Sequence, residues 1–158
     1  MKAKSLLESF RYAWRGLKYA WLHERNMRAH VAIGFTVLFA AMLLEISTLE
    51  FVATSLVTGM VIVSEMANTA LEALIDLVIK RRDPLAAVAK NAAAGAVLVT
   101  SAAAVLVGVA IFVPRLLRWR QALELLAAKP AATTAGLALC GLVWGISLAV
   151  PLERKSMR

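Results

Sequence analysis

The chain has 158 residues, of which 61% are hydrophobic, and its mean hydropathy is +0.73. This composition excludes an ordinary soluble domain, in which polar and apolar faces alternate, and it indicates an integral membrane protein with one domain. The net charge of +8 could suggest a nucleic-acid partner, but the basic residues are distributed as expected for a membrane surface, so no nucleic-acid partner is predicted.

The first predicted element is an amphipathic helix over residues 4–23 that lies on the membrane surface. Its apolar side chains recur every three or four residues and share one face: Leu7, Phe10, Trp14, Leu17 and Trp21. Arg11, Arg15 and Lys18 lie opposite, as in a helix that rests in the membrane interface. The segment has no continuous apolar core of the signal-peptide kind, so we expect it to remain attached.

Four apolar runs follow, and a helix needs about 20 residues to span a bilayer. The predicted transmembrane helices cover about 28–47, 50–80, 86–113 and 131–150. A basic linker at 114–130 precedes the last of them and could form an interfacial helix.

Positive charge is concentrated on one side of these predicted spans. Of the 18 Lys and Arg residues, 14 fall in residues 1–28, 80–90 and 151–158, and four fall in 114–130. Because cytoplasmic segments carry an excess of Lys and Arg, the pattern predicts a multi-pass protein with both ends in the cytoplasm.

Four polar side chains form a stripe on the second predicted span, which is otherwise almost wholly apolar. Glu65, Asn68, Glu72 and Asp76 are spaced by three, four and four residues, so they fall within an arc of roughly 80° on a helix. Three carboxylates on one face beside a membrane are costly unless they bind a cation or move a proton.

The stripe is suited to a divalent metal and to proton transfer. Glu72 and Asp76 are four residues apart and repel each other unless a cation or a proton lies between them. Mg²⁺ fits, because it takes oxygen ligands and commonly uses one or two carboxylates together with substrate phosphates. Glu65 is nearest the apolar half of its helix, where a general base could reach a lipid hydroxyl at the interface.

Groups elsewhere in the chain could complete such a site. Lys90 begins the third span, across a short loop from the stripe, and supplies a cation for a phosphoryl group. Asn68 supplies a neutral hydrogen-bonding group, and Glu24, at the end of the surface helix, could add a second carboxylate to the metal.

The residues also permit simpler interpretations. The stripe could pair with basic residues or hold helices together, and Asp76 could form a salt bridge with Lys80. Lys90 could extend to lipid headgroups, and Glu24 could offset the charge of Arg25 or Arg28. A small cation or drug transporter is a further alternative, which the position of the stripe at the interface, away from the midplane, disfavours.

Four segments together resemble a known family: SFRYAWRGLKYAW, ERNMRAH, VSEMANTALEALID and AKNAAAGAVLV. They are similar to the small bacterial integral-membrane diacylglycerol kinases and undecaprenol kinases, over about residues 5–113. The most specific part is the pattern ExxNxxxExxxD, followed by AK in the next helix.

The resemblance implies an all-α membrane protein of the bacterial inner membrane. A membrane lipid kinase domain at 1–113 would combine an amphipathic surface helix with a three-helix transmembrane core, and 114–158 would hold the basic linker and an added fourth transmembrane helix. Family members are homotrimers with active sites shared between subunits, and they transfer the γ-phosphate of ATP to a lipid hydroxyl with Mg²⁺. The ERNMRAH segment favours undecaprenol as the lipid, with diacylglycerol next.

The resemblance also assigns roles by position. It implies Glu65 as the catalytic base, Glu24 and Glu72 as metal ligands, and nucleotide contacts from Asn68, Asp76, Lys90 and Asn91. Two positions depart from the family: Asn91 stands where aspartate is usual after the lysine, and Asp83 stands near the place of a frequent histidine. The alternative implied by Asn91 is a catalytically weak or inactive member that acts as a membrane binding or scaffold protein.

Overall fold

The computed structural model describes residues 5–151, and this part of the chain contains helices and no strands. The helices are α1 (Leu6–His23), α2 (Arg25–Leu43), α3 (Thr48–Val78), α4 (Pro84–Leu116), α5 (Trp119–Ala128) and α6 (Pro130–Ala149). Residue 4, where the surface helix is predicted to begin, and residues 152–158 of the predicted C-terminal segment lie outside the described range.

Four helices, α2, α3, α4 and α6, are long and apolar enough to cross a membrane. This confirms the predicted all-α membrane fold with a fourth span. The bounds differ by one to four residues from those predicted, because local capping decides where each helix starts. Glu45 takes a positive φ of 49° after α2, and Ser47 and Glu50 then form a capping box that begins α3 at Thr48.

Helix α1 has the features of a surface helix. Ser5 caps it by accepting a hydrogen bond from the main-chain N–H of Glu8 at 3.2 Å. Its apolar face is exposed in the described structure, with Phe10 78% and Trp14 69% accessible. An exposed apolar face opposite basic side chains is what a helix in the membrane interface requires.

Helices α3 and α4 form a long antiparallel hairpin. Asp83 caps α4 by accepting from the N–H groups of Leu85 and Ala86, at 2.7 and 3.1 Å, and Pro84 occupies the first turn. At the other end, Arg115 donates to both carboxylate oxygens of Glu50 at 3.0 and 2.7 Å. The hairpin therefore brings the start of α4 beside the end of α3.

The predicted linker at 114–130 is mostly helical. Its first residues continue α4 to Leu116, and α5 follows after a short turn. The ammonium group of Lys129 pairs with the carboxylate of Glu45, which joins the start of α6 to the turn between α2 and α3. Helix α6 then packs along α2.

Candidate active site

The most deeply buried carboxyl group of the stripe is that of Glu65, on α3. Glu65 is 2% exposed, and Asn68 and Thr69 beside it are 8% and 4% exposed. The hydroxyl of Thr69 donates to the main-chain carbonyl of Glu65 at 2.9 Å. The first two residues of the stripe, Glu65 and Asn68, therefore face the interior of the described structure.

Asn68 lies between Glu65 and the next carboxylate along the helix. Its Nδ2 donates to Oε1 of Glu72 at 3.1 Å, because residues four apart on a helix are neighbours. Its Oδ1 is buried, and within the described residues it accepts no hydrogen bond. A buried amide oxygen without a donor is unusual, and it leaves an acceptor for a ligand in this region.

Glu24 reaches the same region from a different element. It ends α1 and begins α2, with extended backbone angles of φ −113° and ψ 115°. Glu24 and Glu72 lie close enough to Glu65 for their charges to act on its carboxyl group. The structure thus brings Glu24, Glu65, Asn68 and Glu72 together, although Glu24 is separated from the others by some 40 positions of sequence.

The chemistry of these donors suits a metal that arrives with its substrate. No group of three His, Cys, Asp or Glu side chains in residues 5–151 is arranged to hold a metal ion by itself. Mg²⁺ does not require one, because it keeps several waters and commonly uses one or two carboxylates plus substrate phosphates. Glu24 and Glu72 fit that requirement.

Asp76 belongs to a second part of the site, about 16 Å further along the axis of α3 from Glu65. Its carboxylate pairs with the ammonium group of Lys90 on α4. Lys80 donates instead to the main-chain carbonyl of Asp76 at 3.0 Å. The alternative salt bridge between the Asp76 and Lys80 side chains is therefore wrong, because the hairpin places Lys90 nearer to the carboxylate.

A cavity of about 670 Å³ opens where α3 ends and α4 begins. Its charged lining is mostly basic and comprises Lys80, Arg81, Arg82 and Lys90, with Asp76 and Asp83. Asn91 is exposed and lies outside this lining. A cavity in which basic side chains outnumber carboxylates can bind an anion such as a polyphosphate.

Several of these features were missed by the sequence-based prediction. Arg81 and Arg82 line the cavity and are absent from the predicted site, although a basic run next to an acidic stripe is a signal for anion binding. Asp83 caps α4, which explains an acidic residue at this position without any contact to a ligand. Thr69 carries no sequence signal that separates it from other threonines in a helix.

Comparisons with known proteins identify the family that the chain resembles. The family model of prokaryotic diacylglycerol kinase matches residues 11–112. The chain is 43% identical over 116 residues to a diacylglycerol kinase of Synechocystis sp., a match that covers 73% of this chain and 66% of that protein. It is 38% identical over 109 residues to the undecaprenol kinase of Bacillus subtilis, covering 69% of this chain and 89% of that protein. The chain therefore spans just under two thirds of the Synechocystis relative. No solved structure matches it.

Proposed function

The chain belongs to the prokaryotic diacylglycerol kinase family, a family of membrane lipid kinases, and we propose that it transfers the γ-phosphate of ATP to a lipid hydroxyl. Undecaprenol is the proposed acceptor, and diacylglycerol is the next candidate. The observation that carries the proposal is the buried carboxyl group of Glu65, with Glu24 and Glu72 close by and a basic cavity further along the same helix.

Glu65 is proposed as the catalytic base. Its deprotonated carboxylate would accept the proton of the lipid hydroxyl while the hydroxyl oxygen forms a bond to the γ-phosphorus and ADP leaves. The burial of Glu65 supports this role, because a water-poor site strengthens the interaction of a carboxylate with a hydroxyl donor. Asn68, which already donates one Nδ2–H to Glu72, would donate its second Nδ2–H to a phosphate oxygen.

Glu24 and Glu72 are proposed to hold Mg²⁺ on the ATP phosphates. The metal would neutralise charge on the transferring phosphoryl group. Glu24 lies in the break between α1 and α2, and Glu72 lies on α3, so separate elements position the two proposed ligands. The nucleotide itself is proposed to enter the basic cavity, whose lining includes Lys90 and Asp76. Asn91, which follows Lys90 in the sequence and lies outside the lining, is proposed as a further nucleotide contact.

We also propose the setting in which this chemistry takes place. The chain would lie in the bacterial inner membrane with its N-terminus in the cytoplasm, where ATP is available, and would form a homotrimer with active sites shared between subunits. The support for this orientation is the distribution of Lys and Arg, with 14 of 18 on the predicted cytoplasmic side.

The test is a comparison of acceptors in one membrane environment. Purified protein in bicelles receives Mg-ATP and an equal mole fraction of undecaprenol or diacylglycerol, and lipid phosphate is measured. The proposal expects a higher kcat/KM for undecaprenol. A higher kcat/KM for diacylglycerol would show that diacylglycerol, and not undecaprenol, is the acceptor. No phosphorylation of either lipid would overturn the proposed kinase activity.

A further inference from the structure

Helix α6 packs on α2 through one continuous stripe of its surface. Its less exposed residues recur at helical spacing and are Thr133, Gly136, Cys140, Val143, Trp144 and Ser147. Positions 136, 140, 144 and 147 fall within an arc of roughly 80° on a helix. The rest of α6 is exposed in the described structure. This pattern identifies α6 as a helix with one defined partner face.

The contacts along this stripe are specific. The ring of Phe39 on α2 lies on Gly136 so closely that a methyl group at that position would come within 1.7 Å of ring carbons. Trp144 donates its ring N–H to the hydroxyl of Thr36 at 3.2 Å. Phe39, near the end of α2, meets the start of α6, so the two helices run antiparallel.

The contact ends at Arg28, which is only 4% exposed. Its guanidinium donates to the carbonyl of Val150, the residue that ends α6. Ser147 donates to the main-chain carbonyl of Arg28 at 3.5 Å, so α6 touches both the side chain and the backbone of this residue. The last carbonyls of a helix lack partners within it and carry the negative end of its dipole, which suits a buried cation.

Arg28 lies one turn after Glu24, which begins α2. We propose that Arg28 is a positioning residue, and that α6, by holding it, fixes the first turn of α2 and with it the metal-binding carboxylate of Glu24. This inference rests on the proposed function, in which Glu24 binds Mg²⁺ on ATP. In this proposal, the fourth transmembrane helix, α6, supports the metal-binding part of the active site.

The test loosens α6 without touching the site. Gly136→Ala places a methyl group against the Phe39 ring, whereas Gly141→Ala, on the same helix, meets no atom within 4 Å and is the matched control. Cys140, the single cysteine of the chain, lies in the packed stripe, so its rate of labelling by a membrane-permeant maleimide reports whether α6 is docked.

We expect Gly136→Ala to speed the labelling of Cys140 and to raise the Mg²⁺ concentration for half-maximal activity about tenfold, as loss of outer-shell support does at metal sites. The KM for lipid should stay at the wild-type value. Gly141→Ala should change neither quantity. Faster labelling with an unchanged Mg²⁺ requirement would overturn the inference, as would unchanged labelling. A wild-type protein that phosphorylates no lipid would overturn the proposed function itself.

A second pair of variants tests the same inference without a substitution at Gly136. Arg28→Ala deletes the donor to Val150, and Arg28→Lys keeps a cationic donor at the same position. The inference expects a raised Mg²⁺ requirement in Arg28→Ala and partial recovery in Arg28→Lys. Equal Mg²⁺ requirements in both variants and the wild type would overturn it.

Discussion

A carboxyl group as buried as that of Glu65 imposes a cost of several kcal/mol when it is charged, unless its surroundings compensate it. Helix association does not explain that cost well. The hydrogen bonds of Asn68 to Glu72 and of Thr69 to Glu65 run between residues four apart on α3 and do not reach a second helix. Ionisable groups kept in such positions are typical of functional sites.

The ion pair of Asp76 and Lys90 could stabilise the fold or could bind the nucleotide. Exchanging the two charged residues distinguishes these roles. Lys90→Met should raise the KM for ATP and lower the unfolding temperature, because it removes a cation from the cavity and leaves Asp76 without this partner. Asp76→Lys combined with Lys90→Asp should recover much of the unfolding temperature and leave the KM for ATP high. Recovery of both quantities would show that the pair is only structural.

At the level of single residues, helical spacing in the sequence predicted which side chains share the stripe but not which partner each one takes. Asp76 has Lys80 one turn away, which local rules favour, yet the hairpin brings Lys90 to its carboxylate. From the sequence alone, Arg28 is only a possible charge partner of Glu24. Its burial depends on α6, which lies more than 100 positions away in sequence.

Among the helices, α4 shows how one capping residue fixes an element next to the site. Asp83 satisfies two N–H groups of the first turn of α4, and Lys90 lies two turns further on. Asp83→Ala should therefore lower the free energy of unfolding by about 1 kcal/mol, whereas Asp83→Ser, which can also cap, should retain most of it. Unfolding in mixed micelles by denaturant measures both. Equal losses in the two variants would show that capping is not the role of Asp83.

Helix types and approximate bounds were predictable because long apolar runs leave few alternatives. The exact ends were not, because they depend on side-chain caps such as the Ser47 and Glu50 capping box, which the apolar pattern does not mark. The secondary structure of the region 114–130 is harder to predict for another reason. Its composition is basic and mixed, and α5 is a short helix of ten residues within it.

For the whole molecule, the central expectation is that the site faces the cytoplasm. In a Cys140→Ser background, Arg82→Cys should react with a membrane-impermeant thiol reagent only after the cells are opened, and Leu49→Cys should react in intact cells. Both positions are exposed: Leu49 lies in the first turn of α3, and Arg82 lies four residues beyond its other end. The reverse pattern of labelling would place the basic cavity outside and contradict the proposed orientation.

The packing of α6 on α2 could not be predicted at this scale. The small residues of α6 allow close contact with any helix, and a glycine does not specify which partner uses it. The sequence therefore indicates an added span but not the helix on which it packs. The contact of Phe39 with Gly136 and the hydrogen bond of Arg28 to the end of α6 depend on the tertiary packing of distant segments.

The most direct test of Glu65 as the catalytic base of a lipid kinase is phosphate transfer from γ-labelled ATP to undecaprenol in bicelles with Mg²⁺. The wild type should form the lipid phosphate. Glu65→Gln, which keeps the size of the side chain, should lower kcat by about 10²- to 10⁴-fold, the usual contribution of a general base. Glu124→Gln, exposed on α5, is the control and should retain the wild-type rate. A wild-type rate in Glu65→Gln, measured on a wild-type protein that is active, would contradict this role for Glu65.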